Sequence, residues 1–246
     1  MLSKLIQAND ISSAWLAGAK YLIDCGGFGY GLVVEIENPL QENTYVKALL
    51  DDLLLAKGKQ PIDTVANTIF PRGLDTPSQG RERLYYRYRR ILPRLHKKRG
   101  NRRGLYFERL ISWPLATDEE VNQVEETIRK LQTEQRRSNP LRSIYEMSIY
   151  VPGRDRRPIG FPCLSSISME LQGDRLHLIA LYRNQYFIER AYGNYVGLAR
   201  LQCFICREAN CLPGHLVVIS SHVKLDIAKG PVKQLIKQCE EHIQTK

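Results

Sequence analysis

The stretch FPCLSSISMELQGDRLHLIALYRNQYFIERAYGN, residues 161–194, decides the fold of the C-terminal half of this chain. Polar and apolar residues alternate over residues 164–171 and again over residues 175–182, as in half-buried strands. Gly173 and Asp174 stand between the two segments, and this pair predicts a tight turn. The stretch is therefore predicted to form a β-hairpin.

Three polar residues flank this hairpin. Cys163 directly precedes the first strand, Arg183 directly follows the second, and Asn194 lies shortly beyond it. A cysteine thiolate is a nucleophile, a guanidinium binds phosphate, and an asparagine amide both donates and accepts hydrogen bonds. In this order, the three residues supply a nucleophile, a phosphate clamp and an amide able to read the edge of a pyrimidine.

The rest of the chain predicts a mixed α+β fold. Hydrophobic periodicity and end signals predict helices at residues 12–24, 45–56, 82–95, 118–136, 195–209 and 232–243. The same signals predict further strands at residues 31–36, 143–151 and 217–223. The chain has 246 residues, of which 43% are hydrophobic, and this fits one large domain or two small ones with a substantial buried core.

Composition narrows the classes of partner. The net charge of +10 indicates anionic partners, such as nucleotides or nucleic acid. The apolar runs are too short to cross a bilayer and the N-terminus does not resemble a secretory leader, so we expect no membrane partner and a cytoplasmic location. The six cysteines show no dense, regular framework, which predicts reduced thiols. Cys203, Cys206 and Cys211 are interpreted as core residues, and no metal site is predicted.

The order and spacing of Cys163, Arg183 and Asn194 resembles the active-site core of the thymidylate synthases and the related pyrimidine-nucleotide hydroxymethylases. The resemblance implies a thymidylate synthase-like single domain over residues 1–246, with a large mixed β-sheet flanked by helices, that forms a homodimer. It also implies a transferase that adds a methyl or hydroxymethyl group at C5 of a pyrimidine nucleotide. Cys163 would form the adduct at C6, Arg183 would bind phosphate and Asn194 would hydrogen-bond the base.

The resemblance also implies roles for six further residues, which are Asp51, Asp52, Arg142, Asn184, His222 and Lys224. The two aspartates are alternatives for the family's catalytic glutamate. The arginine falls where the family has paired arginines that reach the phosphate site of the partner subunit. Asn184, His222 and Lys224 are expected to bind substrate. His222 and Lys224 fall at the place where the family holds the sugar hydroxyl.

The chain departs from this family at several positions. Leu164 stands where the family has a histidine, and Tyr186 where it has an aspartate near the pteridine ring. The glycine-rich loop at residues 26–31 lacks the family's arginine. Methylene-tetrahydrofolate is the cofactor that the family implies, but the segment that closes over the folate has no counterpart before Lys246. We therefore expect the nucleotide half of the site to be better preserved than the folate half.

A basic insert is predicted at residues 72–109. Within it, residues 81–109 are rich in arginine and lysine, with Tyr85, Tyr86 and Tyr88 between them. Such a segment suits a phosphate backbone with stacked bases. Alternatively, the insert is a solvated surface segment, or its arginines replace the phosphate ligands that the glycine-rich loop and the family's paired arginines would provide. The alternative function is thus a non-catalytic nucleotide- or nucleic-acid-binding protein on the same fold.

Overall fold

The structure is a computed structural model that describes residues 3–98, 101–102, 104–115, 119–156, 160 and 162–244. The strands of its main sheet are β1 (Lys4–Ala8), β2 (Phe28–Ile36), β5 (Tyr145–Ser148), β6 (Leu164–Gln172), β7 (Arg175–Tyr182), β8 (Gln185–Tyr186) and β9 (Leu212–Lys224). Strands β3 (Trp113–Pro114) and β4 (Glu120–Val121) form a separate short ribbon.

The main sheet of the described residues is mixed and seven-stranded. Its order is β1-β2-β9-β7-β6-β5, and β8 pairs with β9 beyond the end of β7. The β7–β9 pair is parallel, with Tyr182 opposite Ser220, and the parallel β8–β9 pair sets Gln185 opposite Val223. The segment that follows β7 therefore lies beside the C-terminal end of β9.

The helices are α1 (Ile11–Asp24), α2 (Thr44–Ala56), α3 (Ile62–Ala66), α4 (Arg81–Leu95), α5 (Tyr106–Ile111), α6 (Gln123–Glu134), α7 (Tyr192–Ala209) and α8 (Lys229–Gln244). Helices α1 and α7 pack on the sheet, and α8 packs against α1 and α2. Helix α7 is buried over most of its surface because apolar residues occur all around it.

Two glycines bring α3 close to α7. A Cβ atom on Gly193 would lie 2.6 Å from the Cβ of Val65, and one on Gly197 would lie 2.8 Å from the carbonyl oxygen of Ala66. Any larger residue at either position would push the two helices apart. This close contact fixes where the end of α3 meets the start of α7.

The structure confirms the predicted fold class and the hairpin, in which β6 and β7 pair antiparallel. The predicted start of the helix at 118–136 was wrong, because the side chain of Asn122 accepts a hydrogen bond from the Glu125 amide and caps α6 there. Residues 116–118 lie outside the described part. The strand predicted at 217–223 was too short, since β9 begins at Leu212. Strand β1 was not predicted.

The predicted basic insert contains two short 3-10 turns, α4 and α5. Residues 99, 100 and 103 of that insert lie outside the described residues, as does Phe161, two residues before Cys163. Among the described helices, none combines the length and the apolar character needed to cross a bilayer.

Candidate active site

An open cavity of about 390 Å³ lies where the segments around α3, α5, β6 and the start of α7 meet. Its described lining residues are Val65, Thr68, Asn101, Gly104, Leu105, Tyr106, Gly160, Pro162, Cys163, Asn184, Gln185, Tyr186, Glu189, Arg190 and Asn194. The cavity thus contains one free thiol, several side-chain amides and a glutamate–arginine pair. Cys163, Asn184 and Asn194 are the predicted site residues that the structure brings together there.

Cys163 is held at the base of the hairpin. Its carbonyl oxygen accepts a hydrogen bond from the Arg183 amide at 2.9 Å, which ties the start of β6 to the end of β7. The Arg183 guanidinium donates through Nε to the Pro162 carbonyl at 3.0 Å. Arg183 does not line the cavity, but it contacts Pro162, which does line it and directly precedes Cys163. The thiol itself is half-buried and forms no disulfide.

A tyrosine cluster surrounds the backbone of Cys163. Burial raises the pKa of the Tyr106 phenol to about 12, and the neighbouring Cys163 acts in the same direction. Burial likewise raises the pKa of Tyr182, with Tyr106, Cys163 and Tyr195 as electrostatic neighbours. The hydroxyls of Tyr182 and Tyr195 are buried without a hydrogen-bond partner among the described residues. Tyr106 is therefore a neutral hydroxyl at physiological pH, placed in the wall beside the thiol.

Two amides line the cavity with unused hydrogen-bonding capacity. Asn194, in the first turn of α7, is only 3% exposed, and its side chain makes no hydrogen bond with any described residue. Gln185 accepts a hydrogen bond on Oε1 from the Ser220 hydroxyl at 3.0 Å, which orients its amide. The Nε2 atom of Gln185 then has no partner within the described chain. Buried amides usually satisfy their polar atoms, so this side of the cavity is suited to a polar ligand.

His222 and Lys224 reach the cavity only through its lining residues. The Nδ1 atom of His222 donates to Oδ1 of Asn184 at 2.7 Å. The ammonium group of Lys224 lies 4.7 Å from the ring centroid of Tyr186. Neither residue lines the cavity, so both act on it by orienting a neighbour.

A π-helical turn, Phe187–Ala191, carries the charged part of the wall. The Asp226 carboxylate accepts hydrogen bonds from the amides of Ile188, at 2.8 Å, and Glu189, at 3.1 Å, and so caps this turn. Burial raises the pKa of Asp226. Glu189 forms ion pairs with Lys59 at 2.9 Å and with Arg190 at 2.8 Å. Turns of this type occur often at functional sites because they rotate the following side chains out of the regular helical register.

Three of the predicted site residues lie elsewhere in the fold. Asp51 accepts a hydrogen bond from the Ile62 amide at 2.7 Å, which places its carboxylate at the start of α3. Asp52 is exposed on α2 and Arg142 is exposed before β5, and neither lines the cavity. Asp51 can influence the cavity through α3, because Val65 in that helix and Thr68 shortly after it line the cavity.

No protein-family model matches the chain. A curated protein from Methanosarcina mazei named "Putative thymidylate synthase" is 23% identical over 228 residues, which span 90% of each chain. The chain is therefore similar, as a distant relative, to a protein of that name. The chain also matches the crystal structure of thymidylate synthase from T4 phage at 18% identity, with a TM-score of 0.38, over 50% of this chain and 39% of that one.

The sequence did not point to four residues that line the candidate site, which are Tyr106, Gln185, Glu189 and Arg190. Tyr106 stands in the basic insert, where no periodic pattern marks it out. Two of the others belong to the π-helical turn, which has no local sequence signature. Gln185 directly follows the predicted site residue Asn184, but the orientation of its amide depends on a hydrogen bond from Ser220 on another strand, which the sequence does not indicate.

Size limits what the cavity can hold. At about 390 Å³ it is near the lower end of single-ligand sites, so the described walls suit one nucleotide-sized molecule. Among the described residues, no group of three or more histidine, cysteine, aspartate or glutamate side chains is placed to hold a metal ion.

Proposed function

We propose that this protein is a transferase that adds a methyl or hydroxymethyl group to C5 of a pyrimidine nucleotide. The observation that carries the proposal is that the Cys163 thiol and the unbonded Asn194 amide line one cavity. A thiol nucleophile next to an amide that can pair with a base edge is the minimum required to activate a pyrimidine ring.

In the proposed reaction, the Cys163 thiolate adds to C6 of the pyrimidine. A sulfur–carbon bond forms, and the π electron pair of the C5–C6 double bond moves towards the group at C4, which makes C5 nucleophilic. Asn194 hydrogen-bonds the N3 and C4 edge and stabilises the charge that develops there. C5 then attacks a one-carbon donor at the oxidation level of formaldehyde: a carbon–carbon bond forms, and the π electron pair of the donor's carbon–oxygen double bond takes a proton from water to give the hydroxymethyl hydroxyl. C5 loses its proton to solvent, and elimination of the thiolate restores the ring. A methyl product would require, in addition, a donor that supplies a hydride.

The charged wall supports a nucleotide rather than a free base. Arg190 lines the cavity and is partly exposed, and Arg183 lies behind Pro162 near the thiol. Arg190 is assigned to the phosphate group, because guanidinium groups bind phosphate through paired hydrogen bonds. Arg183 is assigned to holding Pro162 in place beside the thiol. Tyr106, which stays protonated at neutral pH, is assigned as a hydrogen-bond donor to the substrate.

The test follows hydrogen exchange at C5, which needs no one-carbon donor. Reversible thiolate addition makes C5 basic, so a uridine or cytidine monophosphate incubated with the protein in D₂O should lose its H5 signal in proton NMR. Cys163→Ala should abolish this exchange, whereas Cys25→Ala, which removes another half-buried free thiol, should leave it unchanged. Exchange that survives Cys163→Ala would refute the mechanism.

The alternative function, a non-catalytic nucleotide binder, is supported by Leu164, which is buried beside the cysteine and offers no proton-transferring group. It predicts that calorimetry detects nucleotide binding to the wild type while no H5 exchange occurs. Under this alternative, Asn194→Ala weakens binding and Cys163→Ala does not.

A homodimer is proposed as the assembly. The sheet face away from α1 and α7 carries an apolar patch, in which Val33 pairs with Ile219 and Ile219 with Leu181 across three strands. Leu181 is 38% exposed, and apolar groups on adjacent strands form a continuous surface suited to a second copy.

Sedimentation at micromolar concentration should give a dimer, and Ile219→Lys should give a monomer. The control Gln234→Lys, on the exposed side of α8, should remain a dimer, and a monomeric wild type would contradict the proposal.

A further inference from the structure

Helix α4 has one basic face, which we define as Arg83, Tyr86, Arg90, Arg94 and Lys97. The first four recur every three or four positions along one side of the helix, and Lys97 follows in the turn after the helix ends at Leu95. All five residues are exposed. The opposite side is buried in the core through Leu84, Tyr85 and Tyr88. The helix is therefore anchored by its apolar side and presents the basic face to solvent.

The cations of this face are not neutralised. The side chains of its three arginines and its lysine form no ion pair and no hydrogen bond with any described residue. Other arginines of the chain differ: Arg81 pairs with Glu125 at 2.7 Å, and Arg207 pairs with Asp75 at 2.8 Å. The basic face thus keeps its charge for an external anion.

Tyr86 adds an aromatic group to the same face. Its side chain is 49% exposed, and the guanidinium carbons of Arg83 and Arg90 lie 5.3 Å and 5.7 Å from its ring centroid. Guanidinium groups held over an exposed ring lose less freedom on binding than isolated ones, and both planar groups can stack on bases. The three residues together offer phosphate contacts and a stacking surface.

The basic face also adjoins the candidate active site. Asn101, which lines the cavity, donates its backbone amide to the Lys98 carbonyl at 2.9 Å and its side-chain amide to the Leu95 carbonyl at 3.0 Å. The C-terminal end of α4 is therefore bonded to the cavity wall, and a chain bound along α4 would reach that wall.

We propose that the basic face of α4 binds single-stranded nucleic acid. The unpaired cations contact the phosphodiester backbone, and Tyr86 with its two guanidiniums stacks on bases, whose faces are available only where the bases are unpaired. This surface is distinct from the proposed chemistry at Cys163, so its occupancy does not depend on catalysis.

The test measures fluorescence anisotropy with a labelled oligothymidylate, an oligouridylate of the same length and a matched duplex, over a range of salt concentrations. Four cations in contact with a single strand predict a slope of about −3 in log K against log salt. The variant Arg83→Gln, Arg90→Gln, Arg94→Gln should reduce the size of this slope by about 2. The control variant Lys57→Gln, Lys130→Gln, Lys233→Gln removes the same charge from exposed sites elsewhere and should keep the wild-type slope.

Tyr86→Ala should weaken binding by roughly 5- to 150-fold, the range that one stacked base contributes. Tyr45→Ala, which removes another exposed tyrosine, should have no effect, and Cys163→Ala should bind like the wild type. Equal losses in the two triple variants would overturn the proposal, as would tighter binding to the duplex. Binding to phosphatidylserine vesicles without binding to either single strand would instead assign the face to a membrane surface.

Discussion

The buried ion pair between Arg109 and Asp155 offers a direct test of how the cavity wall is held. Arg109 is on α5, the helix that begins with Tyr106, and it is 1% exposed. It donates to the Asp155 carboxylate through both terminal nitrogens, at 2.6 Å and 2.9 Å. The same carboxylate accepts a hydrogen bond from the Val151 amide at 2.9 Å. The substitution Asp155→Ala removes all three acceptor contacts at once.

The expected cost follows from what the substitution leaves behind. The guanidinium of Arg109 stays buried without its counter-ion, which typically costs about 3–5 kcal/mol. For a chain of this length, each kcal/mol shifts the melting temperature by roughly 2–4 °C, so the midpoint should fall by roughly 6–20 °C. Because Tyr106 is on the same helix, H5 exchange should weaken in parallel.

The ion pair also predicts a pH dependence. Burial acts to raise the pKa of Asp155, but the hydrogen bonds from Arg109 and Val151 outweigh it and hold that pKa below its ordinary value. A lowered folded-state pKa contributes stability that is present above the unfolded-state value, about 3.9, and is lost as the pH falls through the folded-state value. The wild type should therefore lose stability below about pH 4, and Asp155→Ala should lose less over the same range.

Urea unfolding followed by circular dichroism measures the change. The double variant Arg109→Met, Asp155→Leu is the control, because it removes the charge together with its partner and should be more stable than Asp155→Ala. A loss below about 1 kcal/mol in Asp155→Ala would mean that water or a rearranged carboxylate replaces Asp155, and it would refute the reasoning.

Two further predictions concern the elements around the cavity. Gly193→Ala should cost about 1–3 kcal/mol and weaken nucleotide binding, because its Cβ would press on the cavity residue Val65, whereas Gly153→Ala, which meets nothing within 4 Å, should change neither. Asp226→Ala should cost about 1–3 kcal/mol in urea unfolding, since the Glu189 amide loses its acceptor. Asp226→Asn should be at least as stable as the wild type at pH 7, because burial penalises the charged carboxylate and raises the pKa of Asp226. The wild type should gain stability as the pH falls through that pKa, whereas the stability of the variant, whose amide does not titrate, should not rise in this way.

Local pattern was enough to predict the hairpin and the residues at its ends. Alternation over β6 and β7 sets which side chains face the core, and the turn at Gly173 sets the register. That register brings the Arg183 amide to the Cys163 carbonyl, as the flanking positions imply. The sequence pattern did not predict the start of α6, because the side chain of Asn122 sets that boundary by capping the helix.

The fold class, the hairpin and the placement of Cys163 next to Arg183 were determined by the sequence itself, because strand alternation and turn chemistry are properties of neighbouring residues. Only the tertiary structure decided that Tyr106 and Arg190 share a cavity with Cys163, and that Asp51 caps a helix instead of lining that cavity. Those placements depend on how α3, α5 and α7 pack against one another and against the sheet. Contacts between segments that are distant in the sequence are set by the packing of the whole core, and the hydrophobic periodicity of a single segment contains no information about that packing.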